Sequence, residues 1–312
     1  MQTLPLDCEL AQAPSHGLAY EVHAQDGTAL RIGVWSDNST QKGTIFLLPG
    51  RADYIEKQGH TVSEMCAQGF SVCILEFRGL GLSDRVARDR RAGHVEQFSD
   101  FQLDVDAAIS AVSDLKLSQP YFLHGNSMGG CVALRRLMSD HPFKACAFTS
   151  PMWGILLPKI LLMIAPTITG TARAIGLGQR YAPGKNGENE TLAWTFEENE
   201  ITADADMFAH LQHVNRQTPD HWIGGPTIGW LQQALHETKS LASLPSPDIP
   251  CVAFSAELDQ LVTRDAIEDR MSDWSRGQYE MIPAVKHDLL RADLVTRSSV
   301  VGKICNFFES AD

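Results

Sequence analysis

The chain has 312 residues, 44 % of them apolar, and a formal net charge of −12 at pH 7. This length accommodates one large α/β domain or a domain with a sizeable insertion, and the apolar fraction is sufficient for a full core. The negative charge argues against a nucleic-acid partner, because binding phosphates requires clustered lysine and arginine.

Seven cysteines are scattered along the chain without a C-x-x-C pair, so neither a zinc site nor a redox motif is predicted. Cys73, Cys146 and Cys251 fall within apolar runs and are predicted to be small buried hydrophobes. The N-terminus lacks the features of a secretory signal, and no uninterrupted apolar run reaches about 18 residues. We therefore expect a cytoplasmic protein.

In chain order, residues 1–17 are predicted to be irregular. Residues 18–34 alternate apolar and polar residues around Asp26 and Gly27, which predicts an antiparallel hairpin at a sheet edge. Continuous apolar runs, typical of strands buried on both faces of a parallel sheet, follow. Such strands are predicted at residues 43–48, 71–77, 120–124, 144–150, 248–255 and 278–282. Helices are predicted at residues 57–68, 95–112, 131–138, from 264, and 289–308.

This alternation predicts an α/β fold with a mostly parallel sheet and helices on both faces. The alternation stops at residues 151–234, where helical runs are mixed with proline, glycine and tryptophan. We interpret residues 151–234 as a mainly helical cap above the carboxyl ends of the strands, and residues 1–150 and 235–312 as the core. The apolar run at residues 152–164 could receive an acyl chain or touch a membrane, or simply form the core of the cap.

The central motif is Gly-Asn-Ser-Met-Gly at residues 125–129, between an apolar strand and a helical run. A G-x-S-x-G sequence in this context is typical of a nucleophile elbow. Ser127 would then lie at a helix N-terminus, where free N–H groups favour developing negative charge. The alternative is a glycine-rich turn that contains a serine by chance.

A nucleophilic serine needs a base and an acid, which follow it in the chain in the order acid, then histidine. Asp259, on the loop after strand 248–255, is the candidate acid, with Glu257 as its competitor and an N-cap as its alternative role. His287, before the last helix, is the candidate base, although it could be an ordinary surface histidine. The occurrence of serine, aspartate and histidine in the chain order that a triad requires favours a catalytic role over these alternatives.

The oxyanion hole is predicted to combine the N–H groups of Met128 and Arg51. The Arg51 side chain could meet an acidic or phosphate-bearing substrate group, or form a surface ion pair with Asp53 or Glu56. A further loop, with Asp89, Arg90 and His94, could border the site, although structural bracing is the favoured interpretation.

Several motifs occur in an order typical of a known family. They are P-G-R at 49–51, F-R-G-x-G-x-S at 77–83, G-H-V at 93–95, N-S-M-G-G at 126–130, S-P-M-W-G at 150–154 and K-H-D at 286–288. Together they resemble the α/β-hydrolase superfamily, in particular bacterial lysophospholipase and monoacylglycerol lipase-like serine hydrolases. Two positions depart from the usual pattern, with Pro49 and Asn126 where histidine is common.

The resemblance implies Ser127 as nucleophile, Asp259 as acid and His287 as base, with no metal or organic cofactor. Gly50, Met152 and Trp153 are the candidate substrate-binding residues.

We expect a serine hydrolase that cleaves a lipid-like monoester, a lysophospholipid or a monoacylglycerol, through an acyl-enzyme. Transient contact of the cap with a membrane surface, peripheral to the inner membrane, belongs to this expectation. The alternatives are an aminopeptidase or acyltransferase with the same triad, or a hydrolase-fold binding protein that has lost activity.

Overall fold

A computed structural model describes residues 1–36, 42–157, 169–171, 173 and 175–311. Its strands are β1 (Thr3–Leu4), β2 (Leu18–His23), β3 (Ala29–Trp35), β4 (Thr44–Leu48), β5 (Ser71–Glu76), β6 (Tyr121–Asn126), β7 (Phe143–Thr149), β8 (Cys251–Ala256) and β9 (Gly277–Ile282). Within the described residues they form one sheet in the order β1-β2-β3-β5-β4-β6-β7-β8-β9.

The sheet confirms the predicted mixture of a hairpin edge and a parallel centre. β2 and β3 are antiparallel, with Leu18 opposite Val34, and β3 is also antiparallel to β5. From β5 across to β9 all neighbouring strands are parallel. Every residue of β4, β5, β6 and β8 is buried, which explains why these strands are continuous apolar runs in the sequence.

The helices are α1 (Cys8–Ala11), α2 (Gly59–Ala67), α3 (Asp100–Asp114), α4 (Met128–Arg136), α5 (Glu190–Ala193), α6 (Ala205–Gln217), α7 (Ile228–Ala242), α8 (Arg264–Ser272) and α9 (Leu294–Ser310), with 3-10 turns at Ile55–Lys57 and Leu289–Arg291. The segment predicted to be irregular therefore contains β1 and α1. The predicted helix 95–112 begins later, because Gly93 pairs with Pro226 and holds this stretch extended against the cap. The last helix is interrupted before Asp293, whose carboxylate caps α9 by accepting from the N–H groups of Val295 and Thr296.

Apolar side chains cover both faces of the sheet. In β4, Phe46 and Leu48 belong to a core layer that includes residues of α3, α4, α7 and α8, whereas Ile45 and Leu47 belong to a layer with α2 and α9. The three strand cysteines, Cys73, Cys146 and Cys251, are buried as predicted. The sheet with helices on both faces confirms the predicted α/β class.

The division into core and cap stays a prediction. The predicted boundary after residue 234 falls inside α7, whose residues Trp230, Ala234 and Leu241 all pack in the core layer of α3 and α4. Residues 158–164 of the apolar run lie outside the described residues. Among the described helices, none has both the length and the apolar character needed to cross a bilayer.

Candidate active site

Ser127 occupies a sharp turn between β6 and α4. Its backbone has φ 51° and ψ −118°, a region that non-glycine residues rarely adopt. The turn is crowded, because a Cβ on Gly129 would lie 2.0 Å from the Leu48 carbonyl oxygen and one on Gly125 would lie 2.7 Å from the Gly130 Cα. Both glycines of the G-x-S-x-G motif are therefore required by backbone packing, as a nucleophile elbow demands.

The structure brings together the three residues predicted as a triad. The Ser127 hydroxyl oxygen lies 2.8 Å from His287 Nε2, and His287 Nδ1 lies 2.7 Å from Asp259 Oδ2. The side chains of His287 and Asp259 are each 5 % exposed. Donation of the Nδ1 proton to the carboxylate leaves Nε2 as the acceptor for the serine hydroxyl, which is the arrangement that a general base requires.

Charge and burial shift the pKa values of His287 and Asp259 in opposite directions. Burial lowers the pKa of His287, but the hydrogen bond and charge of Asp259, with the charges of Asp288 and Asp53, raise it above its ordinary value. Burial raises the pKa of Asp259, but the hydrogen bond and charge of His287 and two backbone N–H groups bring it below its ordinary value. Asp259 is therefore an ionised partner that stabilises a protonated imidazole.

The loop after β8 explains why Asp259 rather than Glu257 reaches the histidine. Asp259 Oδ1 accepts from the N–H groups of Leu261 (2.8 Å) and Val262 (3.1 Å), and this local turn leaves Oδ2 for the imidazole. Glu257 instead accepts from the Ala284 N–H at 2.8 Å. The N-cap of α8 is Thr263, so Asp259 does not have the alternative capping role.

The loop after β4 passes directly beside the serine. A Cβ on Gly50 would lie 3.3 Å from the Ser127 Cβ, and Gly50, Arg51 and Met128 all line the adjoining cavity. Among the described residues, neither the Arg51 N–H nor the Met128 N–H donates a backbone hydrogen bond. Two N–H groups that flank a nucleophile in this way can receive a developing oxyanion.

The Arg51 side chain makes neither of the predicted ion pairs. Its guanidinium donates to the Gly224 carbonyl at 3.0 Å and to Glu190 at 3.1 Å, and it lies 5.8 Å from the Trp230 ring centroid. The predicted pairs do not form because Asp53 is bound by Arg291 and Glu56 by Arg31. Arg51 instead links the loop after β4 to Gly224 and Glu190 of the predicted cap.

A cavity of about 580 Å³ opens over Ser127 and His287. Its apolar lining includes Met152, Ile155, Leu156, Leu211, Ile223, Trp230 and Leu231. The predictions that Gly50 and Met152 face this space agree with the lining, whereas Trp153 is not part of it. The Trp153 indole donates to the Gly130 carbonyl at 3.2 Å and stacks with Trp274 in the core. Trp153 therefore contacts the elbow from the core side and not from the cavity.

One side of the cavity is a polar wall that sequence reasoning missed. It is formed by Asp53, Lys57, Asp288 and Arg291. Arg291 donates to Asp53 at 2.9 Å, and its Nε lies 3.2 Å from Asp288 Oδ2. Asp288 adjoins His287 in the K-H-D motif, which was a usable signal, but nothing in the sequence connects Asp53 with a residue near the C-terminus.

The loop with Asp89 and His94 contacts residues of the predicted cap and does not border the cavity. His94 Nδ1 lies 2.7 Å from the Thr227 hydroxyl, and Asp89 accepts from the Tyr181 hydroxyl at 2.6 Å. Neither these residues nor Arg90 is part of the cavity lining. The bracing interpretation is the one that these contacts favour.

Comparisons with known proteins agree with this fold. The chain is 27 % identical over 271 residues to a probable lysophospholipase L2 of Haemophilus influenzae, covering 86 % of this chain and 84 % of that protein. It is 25 % identical over 276 residues to lysophospholipase L2 of Escherichia coli K12, covering 85 % and 79 %. A soluble variant of monoglyceride lipase from Saccharomyces cerevisiae has the same fold, with a TM-score of 0.71 at 16 % identity, covering 92 % of this chain and 93 % of that one.

The predicted resemblance to the α/β-hydrolases is thereby confirmed, and the chain is a serine hydrolase of this superfamily. Residues 39–293 match the Hydrolase_4 family, described as "Serine aminopeptidase, S33". This match spans most of the chain and includes the elbow, the Asp259 loop and His287. The chain therefore belongs to the Hydrolase_4 family of α/β-hydrolases.

Proposed function

We propose that this protein hydrolyses the carboxylic ester of a lipid-like monoester, a lysophospholipid or a monoacylglycerol. The observation that carries the proposal is the hydrogen-bonded series Ser127–His287–Asp259 beneath a cavity whose lining is largely apolar. The apolar lining suits an acyl chain, and the polar wall suits the alcohol part of the substrate.

In the proposed mechanism, Ser127 attacks the ester carbonyl while His287 takes its proton. Asp259 orients the imidazole and stabilises its protonated form, and the N–H groups of Met128 and Arg51 hold the oxyanion. His287 then protonates the departing alcohol, leaving an acyl group on Ser127. Water, activated by His287, attacks this acyl-enzyme and releases the fatty acid.

A second candidate function, aminopeptidase activity, is favoured by the description of the family. A peptide α-ammonium would need a free carboxylate in the cavity. Asp53, Asp288 and Glu190 are each ion-paired with arginine or lysine. Glu200 also lines the cavity and makes no ion pair among the described residues, so it is the group that would hold the ammonium.

The two candidates separate on substrates with different leaving groups. We expect the wild-type protein to hydrolyse p-nitrophenyl esters and monoacylglycerols in preference to aminoacyl anilides, and Glu200→Gln to retain that preference. A preference for anilides that Glu200→Gln abolishes would favour the aminopeptidase. Failure to react with any serine-directed probe would return the inactive binding protein to consideration.

Contact of the cap with a membrane surface is part of the proposal. Ile175 and Leu177 in the cap are 67 % and 39 % exposed, and Leu156 is 47 % exposed. Of these three, Leu156 lines the cavity, and exposed apolar side chains of this kind would ease substrate entry from a membrane. Co-sedimentation with phosphatidylethanolamine–phosphatidylglycerol vesicles tests this, and Ile175→Asp should weaken binding if the contact exists.

A further inference from the structure

Lys57 is a buried cation in the polar wall that forms no ion pair with a carboxylate in the described part of the chain. The residue is 9 % exposed, and its Nζ donates to the Ala52 carbonyl at 3.1 Å and lies 4.6 Å from the centroid of the Tyr54 ring. Among the described residues, no carboxylate lies within ion-pair distance of it. An ammonium group has three N–H donors, so the Ala52 bond leaves donor capacity unused.

The other cations that line the cavity differ from Lys57 in this respect. Arg51 and Lys185 both pair with Glu190, and Arg291 pairs with Asp53 and Asp288. Burying a charge without a counter-ion is unfavourable, so such a group is normally paired or shifted toward neutrality. Burial lowers the pKa of Lys57 to about 8, although the charges of Asp53 and Asp288 act in the opposite direction, and the group stays mostly protonated at neutral pH.

Lys57 also contacts the loop that carries the candidate oxyanion donor, and it lines the same cavity as Ser127. Its ammonium is bonded to the carbonyl of Ala52, the residue that directly follows the candidate oxyanion donor Arg51. The cap supplies most of the apolar lining, whereas Lys57 belongs to the polar wall near the loop after β4. An acyl chain within the apolar lining would leave the alcohol part of the substrate toward Lys57.

We propose that Lys57 binds the phosphate of a lysophospholipid head group, so that the enzyme prefers phosphate-bearing monoesters over monoacylglycerols. This inference rests on the proposed function, because it names the substrate class of the same site. A phosphate oxygen supplies the counter-charge and accepts the remaining N–H donors of the ammonium. A glycerol hydroxyl carries no charge, so it binds the ammonium more weakly than a phosphate oxygen does.

The test compares kcat/KM for lysophosphatidylglycerol and monoacylglycerol carrying the same octanoyl chain, both kept monomeric. We expect the wild-type protein to favour the phospholipid, and Lys57→Met to lower the ratio of the two values about 10- to 100-fold, as expected for loss of a charged hydrogen bond. Lys57→Arg keeps the positive charge, so its ratio of the two kcat/KM values should stay close to that of the wild-type protein. Lys185→Met is the matched control, since Lys185 lines the same cavity but is paired, and it should change the ratio less than about threefold.

Burial makes a folding defect a concern, so Lys57→Gln and the rate of fluorophosphonate labelling at Ser127 are measured in parallel. A ratio that stays at the wild-type value in labelled, folded Lys57→Met and Lys57→Gln overturns the head-group assignment and leaves the proposed ester hydrolysis intact. Absence of hydrolysis of both lipids by the wild-type protein overturns the proposed function itself. Inhibition by inorganic phosphate that Lys57→Met abolishes, with an unchanged lipid ratio, would assign the site to free phosphate and also overturn the inference.

Discussion

The loops that carry Asp259 and His287 reach the same imidazole–carboxylate contact by different means. The Asp259 carboxylate accepts two N–H groups further along its own loop. The backbone of this loop is also bonded to the predicted cap, because the N–H of Leu156 donates to the Leu261 carbonyl at 2.9 Å. The His287 loop depends on the cap, because the N–H of His287 donates to the Glu200 carbonyl at 3.3 Å and that of Asp288 donates to the Ile201 carbonyl at 3.0 Å. The side chain of the acid is thus positioned by a turn within its own loop, whereas the backbone of the base is bonded to residues 200 and 201, which are distant in sequence.

That cap segment is itself shaped by a buried asparagine. Asn199 is 2 % exposed, and its side chain accepts from the N–H groups of Ile201 (3.0 Å) and Thr202 (2.9 Å) and donates to the Phe196 carbonyl. Its own carbonyl accepts from the Lys286 ammonium at 2.6 Å. The comparison therefore predicts that the base loop is sensitive to a substitution at Asn199, which the acid loop does not contact.

The largest effect in this comparison is expected for Asp259→Asn. The amide cannot stabilise a protonated imidazole and it favours the wrong tautomer, so kcat should fall roughly 10³- to 10⁴-fold. Steady-state hydrolysis of p-nitrophenyl butyrate measures this fall. Activity within tenfold of wild type would mean that Asp259 is not the orienting acid.

The acidic limb of the pH profile follows from the raised pKa of His287. The base functions only when neutral, and a raised pKa keeps the proton bound to higher pH. We therefore expect kcat/KM for a neutral ester to rise with pH through an inflection above about 6.5, the ordinary histidine value. In Asp259→Asn the inflection should move to lower pH, because the main cause that raises the pKa is lost.

A smaller effect is expected for Asn199→Ala, which removes the side-chain bonds that hold the cap segment against the base loop. We predict a fall in kcat of about tenfold with a smaller change in KM, because a misplaced base affects chemistry more than binding. The matched control is Asn186→Ala, which removes a similar bond to the Glu188 N–H in an exposed turn of the cap. Equal losses in both variants would show that the cap acts through general stability and not through His287.

The smallest effect is expected for Glu257→Gln. Glu257 contacts the Ala284 N–H and not the imidazole, so kcat/KM should stay within about twofold of wild type, as is usual for an exposed position. A loss comparable with that of Asp259→Asn would reverse the assignment of the acid.

The sequence predicted those parts of the molecule whose signals are local. Continuous apolar runs identified the buried strands, and the two glycines that flank Ser127 identified the elbow because backbone packing requires them. The order serine, aspartate, histidine then pointed to the residues that the fold brings together. These features depend on neighbouring residues and on the regular geometry of a parallel sheet.

Features that depend on contacts between distant segments were predicted poorly or missed. Trp153 is a predicted substrate-binding residue, but it packs in the core because the chain turns its neighbour Met152 toward the cavity. Arg51 pairs with Glu190 of the cap, and Asp53 pairs with Arg291, a residue far along the chain. No periodicity or motif encodes such pairs, so the polar wall emerges only from the folded structure.

The most direct test of the central claim is to trap the acyl-enzyme. The protein is mixed with a monoacyl lipid ester, quenched in acid within milliseconds to seconds, and digested for mass spectrometry. We predict an adduct with the mass of the acyl group on the peptide that contains Ser127, which forms and decays during turnover and is absent from folded Ser127→Ala. Turnover by Ser127→Ala at the wild-type rate, or an acyl adduct at another residue of the wild-type protein, would contradict the account.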